Sequence, residues 1–263
     1  MDLNNLQQIA EGLLNRIDFG WTFLLLSVRY LVFFLLVPGI GGGFMGLALR
    51  YPATLVMALV SVRVDNLALV PNHAGDMVVQ MVAEAILGAC IGMVPLLVVA
   101  GAQIAGHLAS GTMGLNGQQL FDPTTQANLP DLARIYSDIA VMIFLMVGGH
   151  YVMISELSGV NANFRPGMFL LTEQGLEAIL LQSGRLLQSG CLIAAPVIVA
   201  LLLTNFVMAL ISKAVPSLNI FVISFPITIG VGFAISILAI PEVGYLLQRE
   251  FNALPDVVTR ITR

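Results

Sequence analysis

The chain predicts an all-α, membrane-associated helical fold, and three observations carry that prediction. Charged residues are 10% of the 263, against roughly 25% in soluble domains. Hydrophobic residues are 58% and the mean hydropathy is +0.93, so a soluble protein of this size would have too few charges to cover its surface. The apolar residues gather in six runs of 19 to 29 residues, and roughly 20 residues at 1.5 Å rise suffice to cross the hydrocarbon. Six runs with short connections leave no room for a separate soluble domain, so residues 1–263 read as a single membrane-associated unit.

The runs follow in order. Leu3 to Ile17 has apolar residues at near-helical spacing among Asn, Gln and Glu, and residues 1–18 read as an amphipathic start on a membrane surface or a partner. This opening lacks the positive start and small-residue cleavage site of a secretory signal. Phe19 to Pro38 is the first run, ended by Pro38-Gly39 and Gly41-Gly42-Gly43. Phe44 to Val62 is the second and carries Arg50 and Pro52 near its start. Met77 to Ala105 is long for one span and contains Glu84, Pro95 and Gln103. After the next connection, Asn128, Pro130 and Asp131 signal a helix start, and Leu132 to Ile154 is the fourth run. Met168 to Gln182 reads as an interfacial amphipathic helix, followed by runs Leu186 to Ile211 and Asn219 to Leu247. Pro95, Pro196, Pro226 and Pro241 each remove a backbone donor inside a run, which suggests helices that curve around something.

Gly106 to Pro130 stands apart. It carries no Lys or Arg, its Gly106, Gly111, Gly114 and Gly117 favour a turn-rich segment, and Asn116-Gly117 is a turn signal. It nonetheless keeps Met113, Leu115, Leu120 and Phe121, too apolar for a spacer that faces only water. Two readings fit: a loop docked on its own bundle, or a loop lining or closing a passage, since non-helical backbone at membrane depth is tolerated only inside protein or beside a water-filled cavity.

The charges inside the runs need partners. Arg134 and Asp138 are four apart, as an ion pair on one helix face would be. Arg29 and Glu84 are isolated deep charges, open to pairing within the chain or with another subunit, and Gln80 and Gln103 face the same choice. His150 follows two glycines and reads as a core histidine or a proton-responsive group. Cys90 and Cys191 read as small buried hydrophobes. A net charge of -4 with Lys213 as the single lysine argues against nucleic acid. No HExxH, GxSxG, phosphate loop or CxxC pair is present, and His73, His107 and His150 stand apart. The reading is non-enzymatic, with no cofactor or metal. Seven of the arginines fall on the side of the termini if all six runs cross, which places the termini in the cytoplasm.

The pieces GAQIAGHLASGTMG, LFDPTTQ, LARIYSDIAVMIFLMVGGHYVMI and VPSLNIFVISFPITIGVGF, in that order, resemble the FliR family of flagellar biosynthetic proteins and their injectisome counterparts in type III secretion. That resemblance implies a subunit of an export gate in the bacterial inner membrane, at the base of a flagellum or injectisome. One copy would sit with about five FliP-like and four FliQ-like subunits in a helical ring, contacted by an FlhB-like subunit and enclosing a channel for unfolded export substrates. By position, the family's pore-closing plug falls on Gly106 to Gln119 and Phe121, taking in His107, Gly111, Met113, Gly114, Leu115, Asn116, Gly117 and Gln118. From their place inside the apolar runs, not from the resemblance, Arg29, Glu84, Gln103, Arg134, Asp138 and His150 read as intramembrane polar and assembly residues. A multi-helix small-solute transporter or channel is the alternative, marked by broken helices at equivalent positions of two repeats.

Overall fold

The computed structural model describes residues 3–39, 43–63, 66–115, 131–158, 166–215, 217 and 220–262. Among them are eight α-helices: α1 (Leu3–Leu36), α2 (Gly43–Ser61), α3 (Ala74–Met113), α4 (Asp131–Met146), α5 (Gly149–Leu157), α6 (Glu173–Ala214), α7 (Ile220–Asn252) and α8 (Leu254–Thr262). The all-α class stands, but helix boundaries shift in three places. The amphipathic start is no separate helix: α1 runs unbroken through Gly20, because one glycine costs only about 1 kcal/mol in a helix and no proline intervenes. The interfacial piece from Glu173 on and the fifth run likewise fuse into the 42 residues of α6, which leaves Met168–Thr172 outside the helix. The fourth run breaks instead. α4 and α5 meet at an angle of 65° around Val147 and Gly148, and Gly148 takes φ 76°, which closes off the helix.

Among the described residues four helical stretches are long and apolar enough to cross a membrane, Arg16–Leu36, Ala74–Met113, Glu173–Ala214 and Val222–Ile261, with the bent pair α4–α5 as a fifth if it counts as one span. Four or five stretches among the described residues, not six, meet that test. α2 adds a shorter apolar stretch among the described residues, Ala48–Ser61. α3 has 40 residues and α6 has 42, so each is about 60 Å long, twice the hydrocarbon thickness of about 30 Å. Neither can lie upright within the apolar layer, and each must project from it or tilt strongly.

The chain forms two compact units, both discontinuous in sequence. The first comprises Met1–Leu96, Gly148–Leu180 and Leu254–Arg263; the second comprises Leu97–Val147 and Leu181–Ala253. Three of the four boundaries fall where backbone regularity fails: after Pro95 in α3, at the Gly148 bend, and at the break between α7 and α8. In the first unit α1 packs on α2 and α5 on α8, and the core carries Leu26, Tyr30 and Phe33 from α1 with Leu87, Ile91 and Val94 from α3. In the second, α4 packs on α7, with the Phe144 and Phe251 rings 5.4 Å apart. Here α3 contributes a stripe of small residues, Ala102, Ala105 and Ala109, all fully buried. Lipid tails offer helices no hydrophobic incentive to associate, so such stripes hold them together by close packing.

Gly148→Ala is expected to cost roughly 1–2 kcal/mol, the left-handed penalty of an L-residue. Unfolding of the purified chain in mixed micelles checks this.

Candidate functional site

Two sets of residues answer the polar and glycine signals of the sequence, one in each unit. In the first, α1 and α3 meet at Gly88 and Gly92, a GxxxG pair. A Cβ on Gly92 would lie 3.0 Å from Leu36 Cβ, and one on Gly88 would overlap the carbonyl oxygen of Arg29. Glu84 is one turn before Gly88 on the same face of α3, so this approach brings its carboxylate onto Arg29. Arg29 Nε donates to Glu84 Oε2 at 2.5 Å. Arg29 is 1% exposed and Glu84 0%.

Such a pair persists without water only if its remaining lone pairs and protons are also used, and here they are drawn from both ends of one connection. Arg29 Nη1 donates to the carbonyl of Leu157 at 2.8 Å. Leu157 ends α5, where carbonyls lack helical partners and the helix dipole favours a cation. Glu84 Oε1 accepts the N–H of Gly167 at 2.5 Å. Gly167 sits at φ 85° with Gln80 Cδ 3.0 Å from where its Cβ would stand, so only glycine fits. Gln80 is held in turn by Trp21, whose Nε1 donates to its Oε1 at 2.8 Å. The choice left open for Arg29 and Glu84 is thereby decided: they pair with each other. The ion pair fastens both flanks of the 158–167 connection to α1 and α3.

In the second unit lies the tip of α3. Gly106 and Gly111 belong to the helix, which continues to Met113; the turn-rich reading of this part is corrected. Gly106 is buried against α4, where a Cβ would stand 2.7 Å from Ala133 N and 2.8 Å from Leu132 O. Its glycine serves backbone approach, not a turn. His107 is half-buried on α3, as is Gln103, while Gly111 is exposed. Met113 is 1% exposed and covers Gly232 of α7, where a Cβ would lie 2.5 Å from Met113 Cε. Thr228 Oγ1 donates to the Met113 carbonyl at 3.4 Å and to that of Phe225 at 3.0 Å. Met113 is therefore spent on its own chain. The helix ends at Gly114, φ 82°, where a Cβ would stand 3.6 Å from the Phe225 ring. Leu115 is half-buried. Asn116, Gly117, Gln118 and Phe121 lie outside the described residues.

The remaining candidates separate. Arg134 and Asp138 are both exposed on α4 and form no ion pair with each other, which corrects the (i, i+4) pairing: an exposed pair gains only about 0.2–1 kcal/mol, too little to hold two long side chains together. His150 is half-buried at the start of α5, its ring 4.0 Å from that of Tyr151. Cys90 is buried but Cys191 is exposed. Among the described residues no group of three or more His, Cys, Asp or Glu is placed to hold a metal ion. Gly167, Leu157 and Gly232 escaped the sequence reading. Gly88 and Gly92 had a legible signal in their four-residue spacing, whereas nothing local marks Gly232 as the seat of Met113.

Residues 20–254 match the model of bacterial export proteins, family 1. The chain is 29% identical over 184 residues to the flagellar biosynthetic protein FliR of Escherichia coli K12, covering 68% of this chain and 70% of that protein. It is 25% identical over 247 residues to FliR of Bacillus subtilis 168, covering 90% and 92%. With the Yop proteins translocation protein T of Yersinia pestis it shares 27% identity over 210 residues, 78% of this chain and 80% of the relative. An all-helical chain with several membrane-length apolar helices, matched across both of its units, belongs to the bacterial export protein family 1.

Proposed function

We propose that this chain is a non-enzymatic core subunit of a type III protein export gate in the bacterial inner membrane. It works with FliP-like and FliQ-like subunits, in about a 5:4:1 ratio with itself as the single copy, and with an FlhB-like subunit. Together they enclose and gate the channel for unfolded substrates. The observation that carries the reading is the extent of the family match, residues 20–254, which takes in the tip of α3. The lateral faces of α6 and α7 support it. In α3 61% of the apolar window is buried, against 28% in α6 and 22% in the stretch containing α7. Leu202, Leu203 and Phe206 are each at least 60% exposed, and lipid or neighbouring subunits must cover them.

In this reading Gly106 to Met113 is the root of the plug, not the plug itself. Its glycine seats α3 against α4, and Met113 locks the tip under α7. Gly114 is the hinge, and the closing residues begin at Leu115 and include Asn116, Gly117, Gln118 and Phe121. Deleting Gly114–Gly117 while keeping Met113 should raise ion and small-solute leakage through the assembled gate and leave its mass unchanged. Parent and deleted assemblies that leak equally would remove the gating role.

The assembly itself is tested by co-expressing the tagged chain with its neighbouring genes and weighing the purified complex by native mass spectrometry. A defined hetero-oligomer is expected; a chain that is stable and conducts alone would end the proposal. In the same experiment Arg134→Leu should reduce the yield of complex without lowering the stability of the chain, because Arg134 stands exposed with no partner on its own helix at Asp138. Unchanged complex yield would return Arg134 to the role of a solvated surface charge.

A further inference from the structure

Before α3, residues 67–71 belong to no helix or sheet, and alternate N–H groups turned the same way, as here, are the pattern of an extended chain. Two of their N–H groups are tied to α1: Ala68 donates to Thr22 Oγ1 at 2.8 Å and Val70 to Asp18 Oδ1 at 3.3 Å. Leu69, between them, is 69% exposed, and its N–H and C=O make no hydrogen bond among the described residues. This stretch forms one wall of an open cleft of about 380 Å³ within the first unit, inside the roughly 300–1,000 Å³ range of natural ligand pockets. Pro71, Pro166 and Met168 add apolar walls, and Asp76 and Gln80 add polar groups. Met168 is 67% exposed. Gln80 has given its Oε1 to Trp21 and keeps its Nε2 donor unspent among the described residues. Asp76 is exposed and is the one charged side chain among the described residues that line the cleft.

We propose that this cleft binds an extended, apolar segment of another polypeptide that carries a Lys or Arg. Each part of the cleft selects for one property of that segment. An extended wall with an open backbone N–H and C=O pairs with a chain in the same conformation, as when a peptide adds a strand to a free edge. The proline and methionine walls take apolar side chains, and Gln80 Nε2 meets a peptide carbonyl. The Asp76 carboxylate, with no cation among the described lining residues, favours a basic side chain and disfavours an acidic one. An acyl chain would fit the apolar walls but would leave Leu69 and Gln80 without hydrogen-bond partners, which is costly once water is displaced. The inference stands on the cleft and does not depend on the export reading.

The test places a benzophenone amino acid at Met168 in the full-length chain and irradiates whole cells. The expected product is an adduct to a second polypeptide whose crosslinked peptide, sequenced by mass spectrometry, is apolar and contains Lys or Arg. Asp76→Lys should lower adduct yield about fivefold and Asp76→Glu should retain it; Leu69→Pro, which removes the open N–H, should also lower it. If Leu69→Pro reduces the amount of chain in the membrane, the Asp76 pair decides. An adduct to phospholipid, a crosslinked peptide without a basic residue, a yield indifferent to Asp76→Lys, or no adduct at all would each overturn the proposal.

Discussion

Arg29→Met and Glu84→Leu are each expected to destabilise the chain by roughly 3–5 kcal/mol, because each leaves one buried charge without its counterion. The combined Arg29→Met/Glu84→Leu variant should recover most of that loss, since an apolar pair of similar volume carries no desolvation penalty. Both residues are at most 1% exposed, so an orphaned charge is left with little access to water. The recovery should stop short of complete for a structural reason. Leu157 and Gly167 would lose the Arg29 Nη1 donor and the Glu84 Oε1 acceptor, at about 0.5–1.5 kcal/mol per hydrogen bond. Unfolding in mixed micelles titrated with SDS measures all four members of the cycle. Additive single losses, with the double variant worse than either, would mean that the two charges act separately and that the pair is not the fastening described above.

Gly106→Ala and Gly88→Ala are the second large effect, expected to cost about 1–3 kcal/mol or more. In both cases the added methyl meets backbone: Ala133 and Leu132 at Gly106, and Arg29 at Gly88. Relief therefore requires whole helices to move apart. Gly232→Ala should cost less, because the atoms in its way belong to the Met113 side chain, which has three rotatable bonds and can repack. Gly184 and Gly230 have nothing within 4 Å of a built Cβ, and alanine there should stabilise by roughly 0.5–1 kcal/mol through its better helix propensity. The order of these five substitutions discriminates close packing from general glycine content. A uniform response would indicate that α3 and α4 are not in backbone contact at Gly106.

The distance between the sequence reading and the structure is clearest at the tip of α3. Gly106, Gly111, Gly114 and Gly117 form a run of breakers to any local rule, yet the helix passes through the first two and stops only at the third. Propensity weighs each glycine by itself at about 1 kcal/mol. The contact with Ala133 that makes Gly106 useful inside a helix depends on a residue 27 positions away. The same blindness separated the amphipathic start from α1 and the interfacial piece from α6, where changes in polarity were read as changes in structure. At the fourth run it works the other way: Leu132 to Ile154 reads as one run, and Gly148 is a bend within it.

By itself the sequence determined the membrane-associated, all-helical character of the chain and its family, because hydropathy and motif order are sums over neighbouring residues that no later folding event can alter. It also singled out Arg29 and Glu84, since a charge inside an apolar run is costly wherever the run ends up. Only the tertiary structure decided that these two charges answer each other across 55 residues and that Arg134 and Asp138 do not pair across four. The physical reason is the same in both cases. A charge pair is fixed by the solvent it loses, and burial is set by which helices approach, here through Gly88 and Gly92, and not by distance along the chain.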